Sequence, residues 1–388
     1  MNRFVLLSLL LSSFAVGTDD FVVGGLLPEI AADLGVTESV AGQLVTVFSV
    51  VYALGAPVMA GLTARLRRRR ALLVGSAVFV VVNLATAVLP GYPAVLAARV
   101  VAALAAAAIT PLCFTTAADV AEPDRRGRAL SMVAVGLTLA MVAGTPLGVL
   151  VAGQFGWRAS FVFVAALSTV ALVGLAVALP DLPPAPHVPL SRKLAVLRRP
   201  VVLLGLASTV VAASGGLMLT TYLAPVLREA AGVTGDLLAV AYSCAGVAGA
   251  LGAMLGGRAT DRFGAERSLR AAILGHAAAL ALLAGLTALR APWWLALASV
   301  GVWGFVGWGF NPPMQARLLA LAPHAAAEVV ALNSSALYLG TAVGGGLGGV
   351  LLATAGPAAV PAVGAVLQLV ALALVAVPVS RTARAVAA

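Results

Sequence analysis

GTPLG, residues 144–148, returns as GTAVG, residues 340–344, an offset of 196. Gly61 maps onto Gly257 at the same offset. Leu26-x-Pro28, followed by Gly35-Val36-Thr37, returns as Leu223-x-Pro225, followed by Gly232-Val233-Thr234, at an offset of 197. Matches in one order and at nearly one offset mark an internal duplication. The two copies flank the longest polar connection, DLPPAPHVPLSRKLAVLRRP at residues 181–200. The chain therefore divides into a first half at 1–180, a linker at 181–199 and a second half at 200–388.

Composition says what each half is made of. The chain is 62% hydrophobic and only 10% charged, against roughly a quarter charged in a soluble domain. A water-soluble fold has no interior large enough for that apolar fraction. The charges are clustered, and the gaps between clusters are long enough for helices that cross a bilayer, each needing about 20 apolar residues. Twelve spans are read at 4–28, 39–63, 71–90, 93–117, 129–152, 159–180, 200–227, 236–257, 269–289, 293–319, 328–353 and 357–379. The expected fold is an all-α integral membrane protein of two pseudo-symmetric six-helix halves. Such repeats suit a carrier whose halves rock about a site near the midplane. Pro57, Pro111, Pro146, Pro312 and Pro313 fall inside spans, which a membrane bundle tolerates by re-satisfying the freed backbone groups. The first apolar run continues through Val22–Leu27, beyond the reach of a secretory h-region, and reads as a span rather than a leader.

Basic residues give an expected orientation. Arg65, Arg67, Arg68, Arg69 and Arg70, then Arg125, Arg126 and Arg128, then Arg192, Lys193, Arg198 and Arg199, then Arg258, Arg262, Arg267 and Arg270, then Arg317, Arg381 and Arg384 all fall on one side if the spans alternate. Only Arg158, Arg228 and Arg290 fall on the other. The first side is read as cytoplasmic, with both termini inside. The net charge of +10 is thus a topology signal that favours anionic lipid and implies no nucleic acid. Cys113 and Cys244 lie inside spans without metal-ligand or disulfide spacing and read as packing residues. His276, inside the ninth span, reads as structural with a proton relay as the rarer alternative.

One stretch breaks the apolar pattern: VGTDDFVVGGLLPEI, residues 16–30. A carboxylate at the bilayer centre costs at least ~2.5–3.5 kcal/mol unless it pairs or faces water, so Asp19 and Asp20 are functional candidates by default. Neighbours on a helix point about 100° apart, so the two acids face different surroundings. At the 197 offset Asp20 maps onto Leu217 and Asp19 onto Gly216. Symmetric packing thus demands no acid here, and the pair is an asymmetric addition.

The chain resembles the major facilitator superfamily, in particular its twelve-span drug:H⁺ antiporter branch and the arabinose-efflux-permease-like members. GGRATDRFGAER, residues 256–267, is similar to the superfamily's loop G-x-x-x-D-R-x-G-x-x-R through Gly257, Asp261, Arg262, Gly264 and Arg267. The first-half equivalent, GLTARLRRRR, keeps Gly61 but has Arg65 where the family has Asp and Arg68 where it has Gly. Arg99, in LAARVVAALAAAA, resembles the buried arginine of the family's fourth helix, and Gly144, Pro146 and Gly148 resemble the antiporter motif of its fifth. GTDDFVVGGLLPEI resembles the first-helix motif and aligns Asp20 with its acid.

The resemblance implies proton coupling at Asp20 with Asp19 beside it, and Arg99 as a modulating charge; an arginine there can snorkel, hydrogen-bond backbone carbonyls or serve as counter-ion to Asp20. It implies a leak-blocking bend at Gly144, Pro146 and Gly148, and a cytoplasmic gate around Asp261 and Arg262. With Arg65 in the acid's place, Asp119 is the expected substitute partner for Arg65. Cavity candidates are Gln43, Phe48, Tyr52, Thr110, Phe114, Tyr222, Trp303, Asn311, Gln315, Asn333 and Tyr338. An apolar cavity with few polar anchors suits amphipathic compounds. The expected function is export of such compounds or drugs from the inner membrane by proton antiport, by a monomer. The chain has no nucleotide loop, metal cluster or nucleophile–base pair, so no cofactor and no enzymatic activity are expected, and the energy comes from the proton gradient. Efflux of sugars or nucleosides by the same fold is the nearest alternative, and a non-transporting receptor or scaffold is the alternative of another class.

Overall fold

The computed structural model describes residues 3–122, 125–184 and 195–376. Within them every long apolar segment is helical and none is a strand, because a lipid-spanning segment must satisfy its backbone groups internally. Twelve helices are long and apolar enough to cross a membrane. In the first half they are α1 Arg3–Leu34, α2 Glu38–Thr63, α3 Arg68–Val88, α4 Tyr92–Val120, α5 Arg126–Phe155 and α6 Trp157–Ala178. In the second they are α7 Pro200–Ala231, α8 Asp236–Phe263, α9 Ala265–Ala288, α10 Trp293–Leu321, α11 Ala326–Thr354 and α12 Ala359–Ala376. The all-helical, twelve-span expectation holds. Several helices outrun the apolar stretch: α1 continues past Pro28 with Glu29 and Asp33 exposed. His187, Arg192, Lys193, Arg381 and Arg384 lie outside the described residues, as does most of the expected linker.

Contacts divide the chain into two compact units, Met1–Val188 with Gly235–Ser243, and Pro189–Thr234 with Cys244–Ala388. Inside the first, α1 packs on α5 and α6, α3 on α4 and α6, and α2 on α4. Inside the second, α7 packs on α11 and α12, and α9 on α10 and α12. Gly252, Gly256 and Gly304 meanwhile bring α8 against α10, where a Cβ would run into the facing backbone. The packing of α1 on α5 and α6 and of α3 on α4 and α6 thus recurs as α7 on α11 and α12 and α9 on α10 and α12.

The register of the repeat is set by glycines. On α5, a Cβ at Gly144 would overlap Thr18 and one at Gly148 would overlap Val22. On α11, a Cβ at Gly340 would meet Ala213 and Ser214, and one at Gly344 would meet Ser214 and Met218. Thr18–Gly144 thus corresponds to Ser214–Gly340, and Val22–Gly148 to Met218–Gly344, all at an offset of 196. Beyond this seam Pro28 and Pro225 correspond at 197. The extra residue is absorbed where α7 kinks, at Tyr222, whose φ of −108° and ψ of 21° leave the helical region. At the depth of the acids the 196 register applies, so Asp19 corresponds to Gly215 and Asp20 to Gly216. This corrects the sequence alignment by one residue.

Prolines explain two further interruptions. Pro146 lacks an N–H, and just before it α5 widens into a π turn, Ala140–Gly144. Thr145 Oγ1 donates to Ala140 O across that turn (3.2 Å). Pro312 and Pro313 each lack a donor, and α10 breaks at Phe310 into Trp293–Gly309 and Asn311–Leu321.

Candidate functional site

Asp19 comes from the middle of α1, Arg99 from the second turn of α4 and Phe48 from α2. Antiparallel neighbours bring them to one level inside the first unit. Arg99 donates from Nη1 to Asp19 Oδ2 at 2.7 Å, and from Nη2 to the Asp19 carbonyl at 3.4 Å. Its guanidinium lies 4.3 Å from the centroid of the Phe48 ring, a cation–π arrangement. Phe48 in turn stacks on Tyr52, centroids 6.3 Å apart. Asp19 is 0% and Arg99 1% exposed. Asp19 Oδ1 and Arg99 Nε nevertheless have no hydrogen-bond partner in the protein. The ions are neutralised against each other but incompletely solvated, a costly arrangement that persists only where something compensates it.

This differs from the sequence expectation in one respect. Of the options open to Arg99, bonding a backbone carbonyl is seen, and its counter-ion is Asp19 rather than Asp20. The about 100° step between neighbours turns Asp19 to α4 and leaves Asp20 partly exposed on the adjacent face. Thr18 donates to Phe14 O at 2.7 Å and packs under Gly144. Gly144 and Gly148 of the expected antiporter motif therefore bear on Thr18 and Val22, on the turns of α1 that flank Asp19 and Asp20. That adjacency is not visible in the sequence.

The second unit is built differently. No Asp, Glu, Lys or Arg occurs between residues 200 and 227, 271 and 289, 294 and 316, or 329 and 376. Its candidate cavity residues are largely engaged within the unit. Tyr222 is fully buried and donates its hydroxyl to Gly345 O (2.7 Å). Asn333 is buried and accepts from Thr209 Oγ1 (2.9 Å). Gln315 donates to Asn311 Oδ1 (3.3 Å). Trp303 is buried, and Tyr338 is half-buried. In the first unit Thr110 and Phe114 are half-buried on α4, and Gln43 donates to Ser39 O (3.3 Å).

The expected gate residues lie around the start of α9. Gly264 takes φ +83°, a conformation that favours glycine. Asp261 and Arg262 are exposed, the latter with its guanidinium 5.3 Å from the Phe263 ring. Gly257 and Arg267 flank them. Glu266 accepts from the buried Arg317 at 2.7 Å, tying α9 to α10. In the first unit the residue corresponding to Gly264 is Arg68. An arginine does not adopt that glycine geometry cheaply, and here it opens α3 with its side chain turned inward to an ion pair with Asp119. The expected Asp119 partner, Arg65, is therefore replaced by Arg68. Arg67 pairs with Asp181, and Arg69 donates to Ala176 O at 2.7 Å, so the basic loop clamps α3 to the ends of α4 and α6.

With fold and site in view, the comparisons place the chain. The profile of the Major Facilitator Superfamily matches residues 9–336, and the chain belongs to that family of membrane transporters. It is 32% identical over 375 residues to the inner membrane transport protein YdhP of Escherichia coli (strain K12), covering 96% of this chain and 95% of that one. It is 37% identical over 253 residues to a chloramphenicol resistance protein of Streptomyces lividans, 64% of each chain. The solved D-xylose-proton symporter superposes with a TM-score of 0.78 over 98% of this chain and 99% of that one, at 16% identity, a likeness of fold alone.

Proposed function

We propose that this transporter exports small, amphipathic, drug-like compounds across the bacterial inner membrane in exchange for protons, by alternating access, with both termini cytoplasmic. Asp20 takes up and releases the proton. Asp19, held by Arg99, is the fixed charge beside it. The observation that carries the reading is the contrast between two neighbouring acids, one sealed in an ion pair and one partly exposed. Protonating Asp19 would strand the buried Arg99 cation, which is expensive, whereas Asp20 can exchange a proton without breaking that pair. The similarity to a chloramphenicol resistance protein supports a drug-like substrate, and the similarity to an inner membrane transport protein supports the location.

The test uses proteoliposomes with a trapped pH dye and an imposed pH gradient. Chloramphenicol is added first, then a panel of cationic and sugar-like compounds. Compound-dependent proton movement in the wild type that disappears in Asp20→Asn supports the reading. Movement that persists in Asp20→Asn but is lost in Asp19→Asn moves the proton to Asp19. Uptake of sugars without proton movement would sink the proposal.

A further inference from the structure

Trp303, an expected cavity residue, and His276 are neighbours in the second unit. His276 of α9 is 6% exposed and Trp303 of α10 is 5% exposed. His276 Nε2 and Trp303 Nε1 have no hydrogen-bond partner in the protein. The two rings are neighbours, their centroids 6.5 Å apart and their planes tilted by 45°. Buried polar atoms are rarely left unpaired without a function or a bound group, and here two lie on adjacent rings.

The ring of His276 is held by design of the backbone around it. A Cβ at Gly216 on α7 would meet Cε1 at 2.5 Å, and a Cβ at Gly307 on α10 would meet Cε1 and Nε2 at 3.1 Å. Both helices thus present bare backbone to the imidazole. Gly216 is the residue that corresponds to Asp20 in the 196 register. Where the first unit places an acid, the second places a glycine and fills the space with an imidazole from α9.

The chemistry of the two nitrogens restricts what can satisfy them. An indole N–H only donates, so its partner must accept. His276 Nε2 either accepts or donates, according to tautomer. One oxygen within reach of both nitrogens would satisfy the two together. A hydroxyl accepts from Trp303 and donates to Nε2, or accepts from both rings when Nε2 carries the hydrogen. A carbonyl oxygen serves the second case. An ammonium has no lone pair for the indole. An anionic oxygen would find no Lys or Arg on residues 200–227 of α7, 271–288 of α9, 294–316 of α10 or 359–376 of α12.

We propose that His276 and Trp303 form a hydrogen-bonding site for a single uncharged oxygen, a hydroxyl or a carbonyl, supplied by the transported compound or by water. The site itself stands apart from the export reading, which bears only on the identity of the occupant.

The test is nitrogen NMR on the full chain in lipid nanodiscs, labelled with ¹⁵N-histidine and ¹⁵N-tryptophan. With three histidines and five tryptophans in the sequence, His276→Gln and Trp303→Phe assign the two signals. The expected result is a hydrogen-bonded shift for both nitrogens, and a displaced His276 signal in Trp303→Phe. Chloramphenicol that shifts both signals identifies the compound as the oxygen's source. Signals that stay put with chloramphenicol but exchange with solvent identify water. Free-nitrogen shifts at both rings, with His276 indifferent to Trp303→Phe, would overturn the site. None of these readouts depends on flux, so failure of the proteoliposome experiment leaves this result interpretable.

Discussion

Asp19 Oδ2 lies 2.7 Å from Arg99 Nη1 with both side chains sealed from solvent, while Asp19 Oδ1 and Arg99 Nε remain without protein partners. The pair is therefore a fixed electrostatic feature of the first unit. Removing one member leaves a buried charge uncompensated, at a cost of about 3–5 kcal/mol. Asp19→Asn and Arg99→Gln are each expected to lower thermal stability in detergent. The double variant is expected to recover part of the loss. A loss in the double variant equal to the sum of the two single losses would show that the two side chains do not act as a pair.

Asp20 carries the opposite expectation. Asp20→Asn leaves the Asp19–Arg99 pair intact, so its loss of thermal stability is expected to be smaller than that of Asp19→Asn. Its transport should lose its dependence on the pH gradient. Export by antiport is driven by protons moving inward, so acidifying the outside accelerates wild-type export and collapsing the gradient with a protonophore slows it. In Asp20→Asn both responses should be flat. A normal pH response in this variant would remove Asp20 from the coupling step.

The glycine seam between α5 and α1 predicts a compensating pair. Gly144→Ala introduces a methyl into space held by Thr18, and overpacking of this kind costs about 1–3 kcal/mol. Thr18→Ala removes Oγ1, the closest atom, together with Cγ2, so the double variant should regain part of the stability measured by thermal unfolding. Gly153 faces open space on the same helix, and Gly153→Ala should be neutral or slightly stabilising.

Within the basic loop the arginines are unequal. Arg68 is buried and pairs with Asp119, whereas Arg65 is exposed. Arg68→Ala should lower the melting temperature clearly and Arg65→Ala by little. Asp119→Asn should reproduce most of the Arg68→Ala effect. The reverse order for the two arginines would restore the pairing expected from sequence.

The amino-acid sequence determined the class of fold on its own. Bilayer length, apolar runs and the duplicated GTPLG and GTAVG stretches require two sets of six helices, because a lipid-spanning chain has few ways to satisfy its backbone. It also marked Asp19, Asp20 and Arg99, since ionisable groups are rare in apolar spans. Only the tertiary structure decided their partners. Asp19 and Asp20 are adjacent in sequence, and the rotation of α1 against α4 assigns Arg99 to the first. Arg68 rather than Arg65 reaches Asp119 because α3 begins at Arg68 and turns it inward. The one-residue slip in the repeat is located by the kink at Tyr222, and His276 meets Trp303 because α9 and α10 face each other with Gly307 between them. These pairings depend on helix rotation and on contacts between residues distant along the chain, which composition and spacing do not encode.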